Sequence, residues 1–234
     1  MKKTAYLIIP SFLILAALIV YMKPEEILAS ISASDFRFVA IGMAVAVVAS
    51  FLRTLKWKVL LNDITTAQLY PIQTLGIAIS NFTPGKIAEP TKAFILKAKH
   101  KIDVSVSLQT IAIERAIEVV ILIGFAVFAF RLLIDTPLYI LGVAGMIIFS
   151  IIVAAVLVAI YSEPIGMKIW NKIKKLPVVK KIPDEFVQSF YRAKVNKKKI
   201  LKCAAVTLVP WILEGIMLYV GLLSVGIAVD AAIL

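Results

Sequence analysis

The sequence predicts an all-α, polytopic helical membrane protein of about five full spans plus one re-entrant helical hairpin, and three observations carry that prediction. Hydrophobic residues make up 61% of the chain and mean hydropathy is +0.96, values that a soluble domain does not carry. Several segments reach the roughly 20 apolar residues needed to cross a hydrocarbon core of about 30 Å, and they are unbroken rather than alternating, which argues against a sheet or barrel. Twelve of the 26 basic residues lie between Lys168 and Lys202, opposed only by Asp184 and Glu185, and such an asymmetry marks the cytoplasmic side of a membrane.

The elements follow in order. Lys2 and Lys3 precede an apolar run over about residues 4–22. It resembles a signal peptide, but the run is too long for a typical signal core. Lys23, Pro24, Glu25 and Glu26 follow it in place of a small-residue cleavage site, so it is read as a retained first span. A short, nearly neutral connector leads to a second span over about 36–55. Arg53, Lys56, Trp57 and Lys58 close that span, where the cations can snorkel outward and the tryptophan can sit at headgroup level. Gly42, Ala46 and Ser50 line it with small residues that permit close helix contact, with the partner left open.

Next comes a re-entrant hairpin over about residues 71–99, in which two apolar stretches, each too short to cross, flank Asn81-Phe82-Thr83-Pro84-Gly85-Lys86. Spans then follow at about 104–131, 138–161 and 202–225. If the hairpin dips in and returns, the N-terminus, Arg53–Lys58, Lys97–Lys101 and the large basic loop all fall on the cytoplasmic side; a full crossing there would put the large loop outside. The chain thus reads as a single integral membrane domain, 1–234, in the cell membrane, with the N-terminus and a basic loop over about 164–201 cytoplasmic. That loop is either a solvated topogenic segment or holds a short amphipathic helix, since Ile182, Phe186, Phe190 and Tyr191 recur at helical spacing.

Composition also excludes some chemistry. A lone cysteine, Cys203, forbids an internal disulfide or a cysteine metal cluster, and a lone histidine, His100, forbids a His-rich metal site. No cofactor is expected. The pI near 9.8 is accounted for by basic loops flanking membrane spans, and no nucleic-acid motif accompanies it, so nucleic acid is not an expected partner.

Charges in hydrocarbon cost about 2.5–3.5 kcal/mol each on insertion scales, so their positions carry information. Entering at residue 104 with a rise of 1.5 Å per residue, Glu114 and Arg115 lie ~15 Å deep and Glu118 about one turn further; Glu214 lies ~17 Å into the last span. A dip beginning near Pro71 brings Asn81 and Gly85 to a similar depth, so three segments meet in one mid-membrane layer. Glu114 and Glu118 share a helix face, and Arg115 reaches Glu118 at a spacing of three. These groups are either an internal ion-pair network or the lining of a hydrated cavity.

At the hairpin tip, Pro84-Gly85 breaks the backbone, and a second half-helix begins near Lys86 or at Glu89-Pro90. Its N-terminus would offer free N–H groups beside Lys86, a site suited to a phosphate, with Asn81 and Thr83 as further donors. Glu89 would then face Lys86, Arg115 or a cationic headgroup. The alternative is a purely structural kink.

Arg53 with Trp57, NFTPGKIAEPTKAFIL, IERAIEV and WILEG together resemble the transmembrane region of bacterial lysylphosphatidylglycerol synthases and related flippase-like integral membrane proteins. That family carries Asn-x-x-Pro-Gly-[Arg/Lys]-x-x-Glu ahead of a Glu-Arg pair. Asn81, Pro84, Gly85, Lys86 and Glu89 match the first motif, and Glu114 and Arg115 match the second, within a likeness over most of residues 40–225.

The resemblance implies movement of lipids with charged or glycosylated headgroups between leaflets, with polyprenyl-phosphate lipids an archaeal variant. Lys86 and the half-helix N-terminus would hold the lipid phosphate with Arg115 assisting, while Glu89, Glu114, Glu118 and Glu214 complement a cationic or hydroxyl-rich headgroup. Partners would be membrane lipids with phosphate headgroups, and either a second copy of the chain or a glycosyltransferase or synthase. No aminoacyl-transfer domain follows, and a second Pro-Gly-Gly-type motif usual in the family is missing, so the chain is expected to be part of a longer whole. The competing expectations are a membrane-embedded transferase, or its accessory subunit, using Glu89 or Glu114 as base, and a proton- or ion-coupled transporter using the same acids.

Overall fold

A computed structural model of the chain describes residues 2–61, 64–83, 88–129, 139–175, 183–192 and 195–228, with side chains from residue 12 onward. The described residues are helical throughout their regular structure: α1 (Lys2–Tyr21), α2 (Pro24–Ser32), α3 (Phe36–Leu60), α4 (Thr66–Asn81), α5 (Thr91–His100), α6 (Val104–Ala129), α7 (Tyr139–Tyr161), α8 (Glu163–Ile173), α9 (Asp184–Arg192) and α10 (Lys197–Ser224). Among them α3, α7 and α10 are long and apolar enough to cross a membrane. The all-helical, membrane-protein reading of the sequence therefore stands. Large apolar side chains such as Phe36, Ile140, Leu141 and Leu201 point outward, as a lipid-facing surface requires and a soluble surface does not.

Two compact units form along the chain: Met1–Lys58 with Ile64–Ile95 and Leu208–Leu234, and Val59–Asp63 with Leu96–Thr207. In the first unit, α3 and the later part of α10 run antiparallel. The Asp35 N–H donates to the Ser224 carbonyl at 2.8 Å, Gly42 faces Val220, and Arg53 pairs with Glu214. The small-residue stripe of α3 thus has a partner within the same chain at Gly42.

Several boundaries move for identifiable reasons. Where a neutral connector was expected, α2 forms because Pro24 suits a first helical turn and Glu25 and Glu26 favour its positive end. The first of the two short helices begins at Thr66 rather than near Pro71. A capping box between Thr65 and Gln68 starts the helix, and Pro71 removes only its own N–H bond. The Thr74 hydroxyl donates to the Tyr70 carbonyl at 2.9 Å beside that proline. α4 has 16 residues and α5 has 10, giving lengths of ~24 and ~15 Å, and neither reaches across a bilayer alone. α5 folds back on α4 so closely that a Cβ on Gly76 would stand 3.1 Å from the Lys92 Cβ.

The second unit is built on α6, whose first half is buried on nearly every side while its second half turns outward. Leu60, Ile113, Ile117 and Cys203 form its core, with Ile121, Val195 and Ile200 packed around them. α6 lies against α7 and α9, and α7 against α8. The basic stretch is more structured than a topogenic loop. It holds α9 where Phe186, Phe190 and Tyr191 recur, and also a further helix, α8, at its start; Ile182 lies outside the described residues. The last helix starts at Lys197 rather than 202 because the Asn196 Oδ1 accepts the Lys198 N–H at 2.9 Å, a cap that tolerates the three lysines behind it.

Candidate functional site

The sharpest polar cluster lies in the first unit at the start of α5. Lys92, 1% exposed, donates to the Glu89 carboxylate at 2.9 Å and to the Gln73 side-chain oxygen at 3.2 Å. Its ammonium also stands 4.4 Å from the centre of the Trp57 ring, an ordinary cation–π distance. Glu89, Gln73 and Trp57 are buried as well. The local sequence explains the arrangement. Glu89 sits in the turn 88–90 leading into α5, three residues before Lys92, and Gln73 projects from the neighbouring α4 one turn before Gly76. Because Gly76 lacks a side chain, the lysine stem lies flat against α4.

Residues expected at the tip fare differently. Asn81 is exposed and ends α4. Thr83 is buried and committed to the turn, its hydroxyl donating to the Ser80 carbonyl at 2.9 Å and accepting the Ala88 N–H at 3.2 Å. Gly85 and Lys86 lie outside the described residues. Of the N–H groups expected to be free at the start of the second half-helix, those next to Lys86 lie outside the described residues. The N–H groups of Thr91, Lys92 and Ala93 donate to the carbonyls of Ala88, Glu89 and Pro90 at 3.0 to 3.1 Å. A tight turn ahead of Thr91 supplies the acceptors for these three N–H groups.

Elsewhere in the first unit, Glu214 of α10 meets Arg53 of α3, both partly exposed. Trp211 is half-buried. The expectation that Lys56 and Trp57 lie at the membrane surface is overturned: they are 1% and 0% exposed. The reason is that α3 continues to Leu60 and carries both inward, where Trp57 becomes the platform for Lys92.

In the second unit, Glu114 is fully buried, and Arg115 pairs with Glu118 at 2.5 Å as their spacing predicts. Glu118 is buried while Arg115 is about one-third exposed. Within the two turns before Glu114 on the same helix, the Ser107 hydroxyl and the Gln109 side-chain oxygen are buried with no hydrogen-bond partner among the described residues. The early half of α6 is therefore a polar, protein-enclosed stretch inside an otherwise apolar helix.

Reasoning from sequence misses Lys92, Gln73 and the inward-facing Trp57. The available signal was the Glu89-x-x-Lys92 spacing across a helix start, which places opposite charges on one face. Nothing in the sequence pairs Gln73 with Lys92, because that contact depends on the hairpin closing.

The family described as "Lysylphosphatidylglycerol synthase TM region" matches residues 8–234. A UPF0104 membrane protein of Methanothermobacter thermautotrophicus is 20% identical over 96% of this chain and 72% of its own length. A second match to a UPF0104 membrane protein of that organism is 26% identical over 50% of the chain and 36% of the relative. A UPF0104 membrane protein of Methanocaldococcus jannaschii is 21% identical over 74% of the chain and 54% of its own length. The chain thus spans part of the length of each relative, from about a third to about three-quarters. No solved structure matches. With the family pattern running through both units, this chain belongs to the lysylphosphatidylglycerol synthase transmembrane-region family.

Proposed function

We propose that the protein is a lipid translocator, or part of one, that moves a phospholipid or polyprenyl-phosphate lipid with a charged or glycosylated headgroup between leaflets. The observation that carries this reading is the buried Glu89–Lys92–Gln73 cluster, held between two helices too short to cross. Ionic groups in a membrane domain are expensive to bury and usually mark a substrate path. A pair of opposite charges with a neutral amide beside it suits a zwitterionic or hydroxyl-rich phosphate headgroup: Lys92 takes the phosphate, Glu89 the cation or hydroxyls. Lys86 and Glu214 extend this polar set in the first unit, and Arg115, Glu114 and Glu118 supply a set of the same chemistry in the second, Arg115 for the anion and the two acids for the cation or hydroxyls. Acyl chains stay in the bilayer, so only the headgroup needs a polar route.

In this reading α1 and α6 join α3, α7 and α10 as spans, the α4–α5 pair is re-entrant, and the N-terminus and the α8–α9 region are cytoplasmic. The cytoplasmic assignment follows from the basic residues at 2–3, 53–58, 97–101 and 168–202.

The test is headgroup flipping of labelled phospholipid by purified protein in liposomes. Lys86→Ala and Arg115→Ala are each expected to abolish flipping while the protein still inserts and folds. Flipping at the unaltered rate in both variants would refute their roles, and no flipping by the parent protein with phospholipid or polyprenyl-phosphate probes would refute the translocator reading.

A further inference from the structure

The second unit contains an apolar groove that the translocation reading does not use. It has a volume of about 600 Å³, within the usual range of ~300–1,000 Å³ for small-molecule sites, and lies among α7, α8 and α9. Its walls include Ile152 and Val156 of α7, Ile169 and Trp170 of α8, and Phe186 and Phe190 of α9. Two contacts build it. The Trp170 indole N–H donates to the Asp184 carboxylate at 2.6 Å, and the Tyr191 hydroxyl donates to the Ala159 carbonyl at 2.7 Å. Gly166 allows this closeness, because a Cβ there would stand 2.7 Å from that same carbonyl and collide with the Tyr191 ring and hydroxyl.

Two features say what fits. One wall is α7, in which no residue is buried, and Ile152 and Val156 are about half exposed. An occupant therefore reaches the groove from hydrocarbon. The other feature is charge. On α8, Lys168 and Lys172 are exposed, lie one turn apart, and each adjoins a groove-side isoleucine, Ile169 and Ile173. The nearby Asp184 is already engaged by Trp170 and Lys174, so it does not neutralise them.

We infer that this groove seats one acyl chain of an anionic phospholipid, with Lys168 and Lys172 meeting its phosphate where α7 leaves the membrane. The site is separate from the Glu89–Lys92 cluster and stands or falls without it. A neutral lipid satisfies the groove but not the lysines, and a second copy of this chain packed along α7 would give protein–protein crosslinks in place of lipid ones.

The test uses the full chain in phosphatidylcholine vesicles doped with phosphatidylglycerol that carries a photoreactive diazirine on one acyl chain. Crosslinks are expected on the groove walls of α7, α8 and α9, competed by unlabelled phosphatidylglycerol and not by phosphatidylcholine. Each lysine near an anionic surface contributes about fivefold in binding, so Lys168→Gln with Lys172→Gln should cut the anionic preference by roughly twenty-fivefold while leaving the groove intact. Ala155→Trp, on the exposed side of α7, fills the groove and should remove the crosslinks. The double lysine variant lies on the surface and keeps the test decisive if the tryptophan variant fails to fold. Equal labelling by phosphatidylcholine and phosphatidylglycerol analogues would overturn the inference, as would labelling indifferent to both variants, or protein–protein crosslinks filling the groove instead. Neither variant alters Glu89 or Lys92, so loss of this site and loss of headgroup flipping are read independently.

Discussion

Replacing Lys92 by methionine keeps an unbranched stem one atom shorter and deletes the charge, so it mainly tests the electrostatic part of the buried cluster. In the parent structure the ammonium satisfies the Glu89 carboxylate, the Gln73 oxygen and the Trp57 ring together. Removing one partner of a buried pair typically costs about 3–5 kcal/mol, because the remaining charge stays out of water without its counterion. The lost hydrogen bond to Gln73 and the cation–π contact fall within that figure, since the three interactions share one atom and are not additive. Against a total stability of about 5–15 kcal/mol this is a large fraction, equivalent to a drop of roughly 6–20 °C in midpoint. Glu89→Gln should cost a comparable amount. Combined, Glu89→Gln and Lys92→Met leave no charge stranded, so the double variant should be more stable than the two single losses together predict. Reversible unfolding in mixed detergent micelles measures all four proteins. A Lys92→Met loss below about 1 kcal/mol, or a coupling energy near zero, would show that the cluster is not a dry ion pair and would remove the basis of the proposed headgroup site.

Other expectations follow from single contacts. Gly76→Val puts a branched side chain where a Cβ already stands 3.1 Å from Lys92, so it should destabilise the α4–α5 pair by about 1–3 kcal/mol in the same unfolding assay. The indole hydrogen bond from Trp170, and then the ammonium of Lys174, hold the Asp184 carboxyl below its ordinary value of 3.8. A group with a lowered folded-state pKa contributes stability above its unfolded pKa and loses it as pH falls through the folded value. The docking of α9 on α8 should therefore be constant near neutrality and weaken only below about pH 4, read by Trp170 fluorescence, and Asp184→Asn should abolish that dependence.

Much of the fold is visible in the sequence because hydrocarbon imposes simple rules. Long unbroken apolar runs can only be helices, and the starts of α6 and α7 follow from where those runs begin. Local chemistry marks shorter elements less clearly. The Thr65–Gln68 capping box and the Asn196 cap are present in the sequence, yet Pro71 and three lysines draw the expected boundaries inward. The pairing of Arg115 with Glu118 is legible because both lie on one helix. The pairing of Lys92 with Gln73 is not, since it joins residues 19 apart whose approach depends on Gly76 having no side chain. Trp57 illustrates a different failure. A tryptophan among cations near a span end fits an interfacial belt, and only the extra turn of α3 turns it inward.

The shortness of α4 and α5 also bears on how the protein is made. A helix of 16 residues followed by one of 10 offers the insertion machinery no segment that the bilayer can accept singly. In the re-entrant arrangement proposed above, the two are released together, after residue 100 has been translated, with the lysine of the second already sheltered by the glutamine of the first and by a tryptophan made some 35 residues earlier. Biogenesis of this region is then a step of paired release, and a ribosome stalled within α5 would leave the nascent chain holding a helix that has nowhere to go.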